Sequence, residues 1–96
     1  MALRKLNSVQ EASGTGWRAH KQGRIVVLIC QDLPIGTSEL LPDGFRPMGY
    51  VEVAAKGNDP ATNNCGLAVR WNGRMTVYGA GKSTTVNAVV TFVVGG

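Results

Sequence analysis

Few residues in this 96-residue chain have the types needed for covalent chemistry, and their spacing argues against it. His20 is the only histidine, and no serine or cysteine stands at a spacing that would make it a nucleophile's base. The six acidic residues form no pair that would divide a general acid from a general base. Cys30 and Cys65 are the only cysteines, and two thiols with one histidine cannot close a zinc site. Each cysteine sits within an apolar run, where a free thiol packs as a small hydrophobe. A disulfide is the lesser reading, since residues 1–15 lack the apolar centre of an export signal. Gly79-Ala80-Gly81-Lys82-Ser83-Thr84 imitates the end of a phosphate-binding loop. Thr76 stands where the first glycine belongs, and β-branched residues follow where a helix would have to begin. The stretch reads as a turn. The expectation is a chain with no catalytic residues, no metal and no cofactor.

Residues suited to holding a ligand are better represented. Trp17, Tyr50, Trp71 and Tyr78 are aromatics that carry a polar handle. Trp17, at the start of a strand, is expected to pack in a core or an interface. Trp71 sits at a hairpin tip between Arg70 and Asn72-Gly73, where an indole face can stack on a sugar ring or an apolar partner surface. Lys56 to Asn64 is the longest polar, turn-rich stretch and is expected to be a surface loop. The candidate ligand contacts are therefore Trp71, Arg70, Tyr78, Asn58 and Asn63.

The elements that would position these residues are strands. Thirteen glycines, about twice the ordinary share, and the lack of long runs of helix formers favour many tight turns and an all-β fold. Trp17 to His20 reads as a strand followed by a Lys21-Gln22-Gly23 hairpin loop. Arg24 to Gln31 is apolar on both faces, with Ile25, Val27 and Ile29 opposed to Val26, Leu28 and Cys30, so both faces should be covered. Gly49 to Ala55 is the next strand. In Cys65 to Tyr78, a three-residue loop Trp71-Asn72-Gly73 pairs Val69 with Met75 and Leu67 with Val77, keeping four apolar residues on one face. Thr85 to Val94 closes the set, with Val86, Ala88, Val90, Phe92 and Val94 as its apolar side. The sum is an antiparallel β-sandwich or jelly-roll-like head of six to seven strands. Residues 1–15 are read apart from it, as an arm or neck, leaving 16–96 as the head. A single core fits this length, and extra burial from self-association would be natural.

The net charge of +4 comes from scattered positive residues rather than a basic stripe, which argues against nucleic acid as the partner. No run of 18 apolar residues is present to span a membrane as a helix.

One stretch punctuates the whole: Leu41-Pro42-Asp43-Gly44-Phe45-Arg46-Pro47. It occurs in order with Gly16-Trp17, the apolar Arg24–Cys30 run, Asn72-Gly73 followed by Met75-Thr76-Val77, and Val90-Thr91-Phe92-Val93-Val94. This set resembles the C-terminal head domains of bacteriophage tail-fibre and baseplate receptor-binding proteins, over about residues 16–96. The resemblance implies a non-enzymatic virion protein, made in the host cytoplasm. Its head would form a homotrimer on a helical or fibrous neck and bind a host cell-surface saccharide, with no nucleic acid and no membrane insertion. It further implies that Arg24–Gln31 and Thr85–Val94 supply the trimer interface. The alternatives are a purely structural module that trimerises or caps a fibre and, ranked below it, a hydrolase acting on the host envelope. The Arg70-Trp71 pair before Asn72-Gly73 departs from the family's more polar turn, as do Cys30 and Cys65.

Overall fold

The structure is a computed structural model that describes residues 9–59, 65–79 and 82–95. Seven strands account for most of these residues: β1 (Gln10–Gly14), β2 (Trp17–Gln22), β3 (Ile25–Pro34), β4 (Val51–Gly57), β5 (Cys65–Val69), β6 (Met75–Tyr78) and β7 (Thr85–Val93). All pair antiparallel in one continuous sheet, in the order β1-β2-β3-β7-β4-β5-β6. The expected all-β antiparallel fold is the observed one. Its two halves are joined where Lys56 and Gly57 of β4 pair with Asn87 and Val86 of β7. The sheet curls so that both halves face a common core. Trp17, Leu28 and Phe92 from one half cluster with Leu67, Val69 and Met75 from the other.

Alternation decides which residues enter that core. Along β3, Val26, Leu28 and Cys30 are buried, and across the seam to β7 they meet Phe92, Val90 and Ala88. A bulge then keeps the phase. Between the Cys30–Ala88 and Leu33–Val86 pairs, Gln31 and Asp32 together oppose Asn87 alone. Asp32 takes a left-handed φ of 54°, and its N–H donates to Asn87 Oδ1 at 3.0 Å. The extra residue returns Leu33 to the interior, where it is fully buried.

Several boundaries differ from the sequence-based expectation: β3 runs on to Pro34 rather than ending at Gln31, and β4 spans Val51–Gly57 rather than Gly49–Ala55, taking Lys56 and Gly57 from the expected loop. The first hairpin loop is not Lys21-Gln22-Gly23: β2 runs on to Gln22, which pairs with Ile25, and the loop is Gly23-Arg24. Gly23 does carry the positive φ, 62°, at the first loop position, as a type II′ hairpin turn requires. The division at residue 15 falls inside a hairpin. Gln10–Gly14 is a strand paired along its whole length with β2, from Gln10–Lys21 to Gly14–Trp17. Among the described residues the sheet therefore begins well before the expected start of the head.

The Leu41–Pro47 stretch is a clamp across the sheet halves. Phe45 N–H donates to Pro42 O at 3.0 Å, closing a turn on Asp43-Gly44 with Gly44 at φ 90°. Leu41 and Phe45 are buried in the core from either side of that turn. Arg46 pairs with Asp43 at 3.0 Å, and its Nε donates to Leu41 O at 2.9 Å. Leu41 N–H donates in turn to Gly73 O at 2.8 Å, which ties the stretch to the β5–β6 loop.

Candidate functional site

The β5–β6 hairpin adopts the expected register, with Val69 opposite Met75 and Leu67 opposite Val77. All four side chains are buried. The three-residue loop places Gly73 at a φ of 89°, a conformation L side chains rarely adopt. Gly73 N–H donates to Arg70 O at 2.8 Å, and Arg70 N–H to Arg74 O at 3.0 Å. Trp71 is left at the tip, 71% exposed.

With Leu67, Val69, Met75 and Val77 facing inward, the alternate positions of β4, β5 and β6 form the outer face. Its middle row is Glu52, Ala68 and Thr76; the next is Ala54, Gly66 and Tyr78. Continuing the register one step before Val51–Val69 sets Tyr50 opposite Arg70. Tyr50 and Tyr78 thus stand two strands and four residues apart, roughly 17 Å between Cα atoms at ordinary sheet spacings. Both stand on the same outward face. The Tyr78 ring leans in over β5: a Cβ built on Gly66 would lie 3.6 Å from it, and Ala68 is fully buried although it points outward. Tyr50 remains 56% exposed and Tyr78 42% exposed, so their upper surfaces meet solvent.

The hydrogen bond to Tyr78 raises the Tyr50 phenol above its ordinary pKa, aided by desolvation and by the Glu52 and Tyr78 charges, while Arg70 pulls the other way. Glu52 and Arg70 therefore both act on the Tyr50 hydroxyl. The assembly is an aromatic surface with one acidic and one basic group beside it.

The candidates read from the sequence divide accordingly. Tyr78 and Arg70 belong to this surface, and Trp71 follows Arg70 at its end. Tyr50, one of the aromatics that carry a polar handle, joins them although nothing in the sequence marks it as a contact. Only the pairing of β4, β5 and β6 reveals its place. Asn58 is elsewhere, one residue past the far end of β4, and its amide is committed. Its Nδ2 donates to Thr84 Oγ1 at 2.9 Å, and its Oδ1 accepts from Thr84 N–H at 2.8 Å. Asn58 staples the end of β4 to the start of β7. Asn63 lies outside the described residues, as does the stretch from 60 to 64. Of the imitation phosphate loop, residues 80 and 81 are likewise outside, and the chain enters strand β7 at Thr85, with no helix there. Trp17 is buried and donates from Nε1 to Glu39 Oε2 at 3.1 Å.

A second surface lies on the other half. Outward-facing neighbours across β3 and β7 are Ile25–Val93, Val27–Thr91 and Ile29–Val89. Ile25 is 46% exposed and Val89 63% exposed, so among the described residues nothing covers this face of the doubly apolar strand. Beside it runs a shallow groove of about 470 Å³ lined by Val9, His20, Lys21, Gln22, Ile25 and Val27. His20 Nδ1 lies 3.6 Å from Glu11 Oε1 across β1–β2, a surface pair. Among the described residues no three His, Cys, Asp or Glu side chains converge to hold a metal ion. Cys30 and Cys65 are both buried free thiols, and burial pushes the Cys30 thiol up to about 11.

No protein-family model matches the chain, and no curated protein matches it.

Proposed function

We propose that this chain is the head of a phage tail fibre or baseplate receptor-binding protein, which assembles as a homotrimer and binds a host-surface saccharide without enzymatic activity. The observation that carries the reading is the uncovered aliphatic face of β3 and β7. Ile25, Val27, Ile29, Val89 and Val93 are neighbours in the sheet, and Ile25, Val89 and Val93 stand open to water. Scattered exposed aliphatics are ordinary, whereas a contiguous patch of them marks a surface meant to be covered. A second copy of the chain is the occupant the resemblance implies. Covering this face would also supply the burial that a domain of this size lacks alone.

The described residues expose Tyr50 and Tyr78 on one outward face and bring together no nucleophile–base arrangement, which supports recognition over hydrolysis. The test is oligomeric state by light scattering at tens of micromolar, with Val89→Asp as the variant. The wild-type chain should be a trimer. The variant should be a folded monomer, because a desolvated carboxylate at the centre of the contact costs several kcal/mol. A monomeric wild-type chain overturns the assembly reading.

A further inference from the structure

We infer that Arg70 and Arg74 form an anion clasp beside Trp71 for the carboxylate or phosphate of an acidic saccharide, which rests on the reading of the chain as a saccharide-binding head and gives that function a place and a charge. The two arginines face each other where the β5–β6 ladder ends, and Arg70 N–H donates to Arg74 O at 3.0 Å. Their neighbours Val69 and Met75 are buried, so both arginines leave from the outward face, and both are exposed. Like charges directly opposite each other weaken a sheet. No other cross-strand pair of the described strands opposes like charges. The flanking residues do not neutralise the pair: Leu40 bridges to Arg74 on one side, and Tyr50 stands opposite Arg70 on the other. Glu52, the one carboxylate among the described outward residues of β4–β6, makes no ion pair with either arginine. Arg74 Nη1 donates to Ser38 Oγ at 2.6 Å and to Ser38 O at 3.3 Å, both uncharged acceptors. The Arg70 guanidinium makes no hydrogen bond or ion pair among the described residues.

The loop between the arginines is tied down. Gly73 N–H donates to Arg70 O at 2.8 Å, Arg74 N–H to Asn72 Oδ1 at 3.1 Å, and Leu41 N–H to Gly73 O at 2.8 Å. Trp71 is thus held out by a bonded backbone at 71% exposure, which leaves little ordering for a ligand to impose. An oxyanion set between the two guanidiniums would take charge-assisted, forked hydrogen bonds and remove the repulsion between them. The weakly positive C–H face of the same sugar can then lie on the negative π face of the indole. One ring and two charges match the footprint of a single acidic sugar. A nucleic-acid strand is tracked instead by successive rings along a basic groove.

The probes are a neutral hexose oligosaccharide, its hexuronate counterpart and a sugar phosphate polymer, each titrated with the full chain. An acidic member should bind about tenfold or more tightly than the neutral one, and the preference should shrink as salt is raised. Preference for the hexuronate or for the phosphate supports the clasp and identifies its oxyanion. Arg70→Gln should weaken acidic binding roughly tenfold, the size of one charged hydrogen bond. The same change should leave the Tm of the free chain level or raise it, because it removes a like charge, whereas loss of a structural arginine would lower it. Trp71→Ala should weaken binding several-fold at unchanged Tm. Arg74→Gln also loses the Ser38 bonds, so Arg70→Gln is the deciding variant. Unchanged acidic affinity in Arg70→Gln, or a neutral chain held as tightly as the acidic ones, overturns the clasp. Equal retention of a single-stranded oligonucleotide overturns the saccharide assignment. Bacterial cells bound equally well with and without Arg70 leave the receptor-binding reading standing and remove only this site. A head that binds neither cells nor any saccharide removes both.

Discussion

The two outward faces of this one sheet are made of different materials. On β3 and β7 the outward residues are mostly β-branched aliphatics, Ile25, Val27, Ile29, Val89 and Val93, with Thr91 among them. On β4, β5 and β6 they are Glu52, Ala54, Ala68, Gly66, Thr76 and Tyr78, with Tyr50 and Arg70 at the margin. The inward faces do not differ in this way, since both halves send apolar side chains into the same core. Inward composition is dictated by burial and reports only the fold. Outward composition is free of that demand, so its divergence reports use. An aliphatic face without donors or acceptors suits dry contact with another protein surface, whereas rings edged by polar groups suit a ligand that is itself half polar.

The sharpest way to break the comparison uses two adjacent residues of β3. Leu28 points inward and is fully buried; Val27 points outward and is half-buried. Leu28→Ala should cost about 3 kcal/mol by lost burial and a residual cavity, lowering Tm on the order of 15 °C in a domain of this length. Val27→Ala should cost under about 1 kcal/mol in dilute chain. Its larger effect should appear as a Tm that depends on protein concentration, because association stabilises by mass action. Equal losses at every concentration would place Val27 in the chain's own core. Thermal melts across a hundredfold range of concentration decide it.

How much of this was legible beforehand follows the same division. The β5–β6 register could be read because only one loop length keeps Leu67, Val69, Met75 and Val77 together, and alternation is a strong signal where one face is buried. The inward set of β7 was legible for the same reason. Strand β1 was not: Gln10, Glu11, Ser13 and Gly14 are exposed and Ala12 half-buried, so no hydrophobic period marks it as a strand. The Asp32 bulge was hidden because a left-handed Asp is set by tertiary packing rather than by a turn signature. Asn58 read as loop polarity because nothing local shows that β7 returns beside β4 and brings Thr84 to it. That Tyr50 and Tyr78 share one outward face depends on sheet order across three strands, which spacing along the chain does not encode.

Between the two faces lies the core they share, and Cys30 probes it. Its thiol is raised from 9.0 to about 11 by burial, so the folded chain disfavours the thiolate. Below pH 9 the thiol is neutral in both folded and unfolded chains and costs nothing. As pH rises from 9 towards 11 the unfolded chain loses the proton first, and stability should fall by roughly 2–3 kcal/mol, at 1.36 kcal/mol per unit. Denaturant melts at pH 8 and pH 10.5 should show the loss, and Cys30→Ala should flatten it. Loss that persists in the variant would assign the alkaline sensitivity to another group. The same burial makes Cys30 slow towards thiol reagents until the sheet opens.

The smallest effect tests the tyrosine face itself. Tyr50 is raised first by its hydrogen bond to Tyr78, so Tyr78→Phe should bring the Tyr50 titration down towards the ordinary phenol range. The chain has only two tyrosines, which makes ring-carbon NMR of the pair unambiguous. Glu52→Gln should lower the Tyr50 value by a smaller amount, and Arg70→Ala should raise it, since these two charges act in opposite directions. Three shifts of the stated signs would mean that the rings meet over Ala68 in solution with both charges beside them. A Tyr50 titration indifferent to Tyr78 would mean that the rings stand apart. The outer face of β4–β6 would then be merely polar, and its contrast with the aliphatic face would lose its aromatic half.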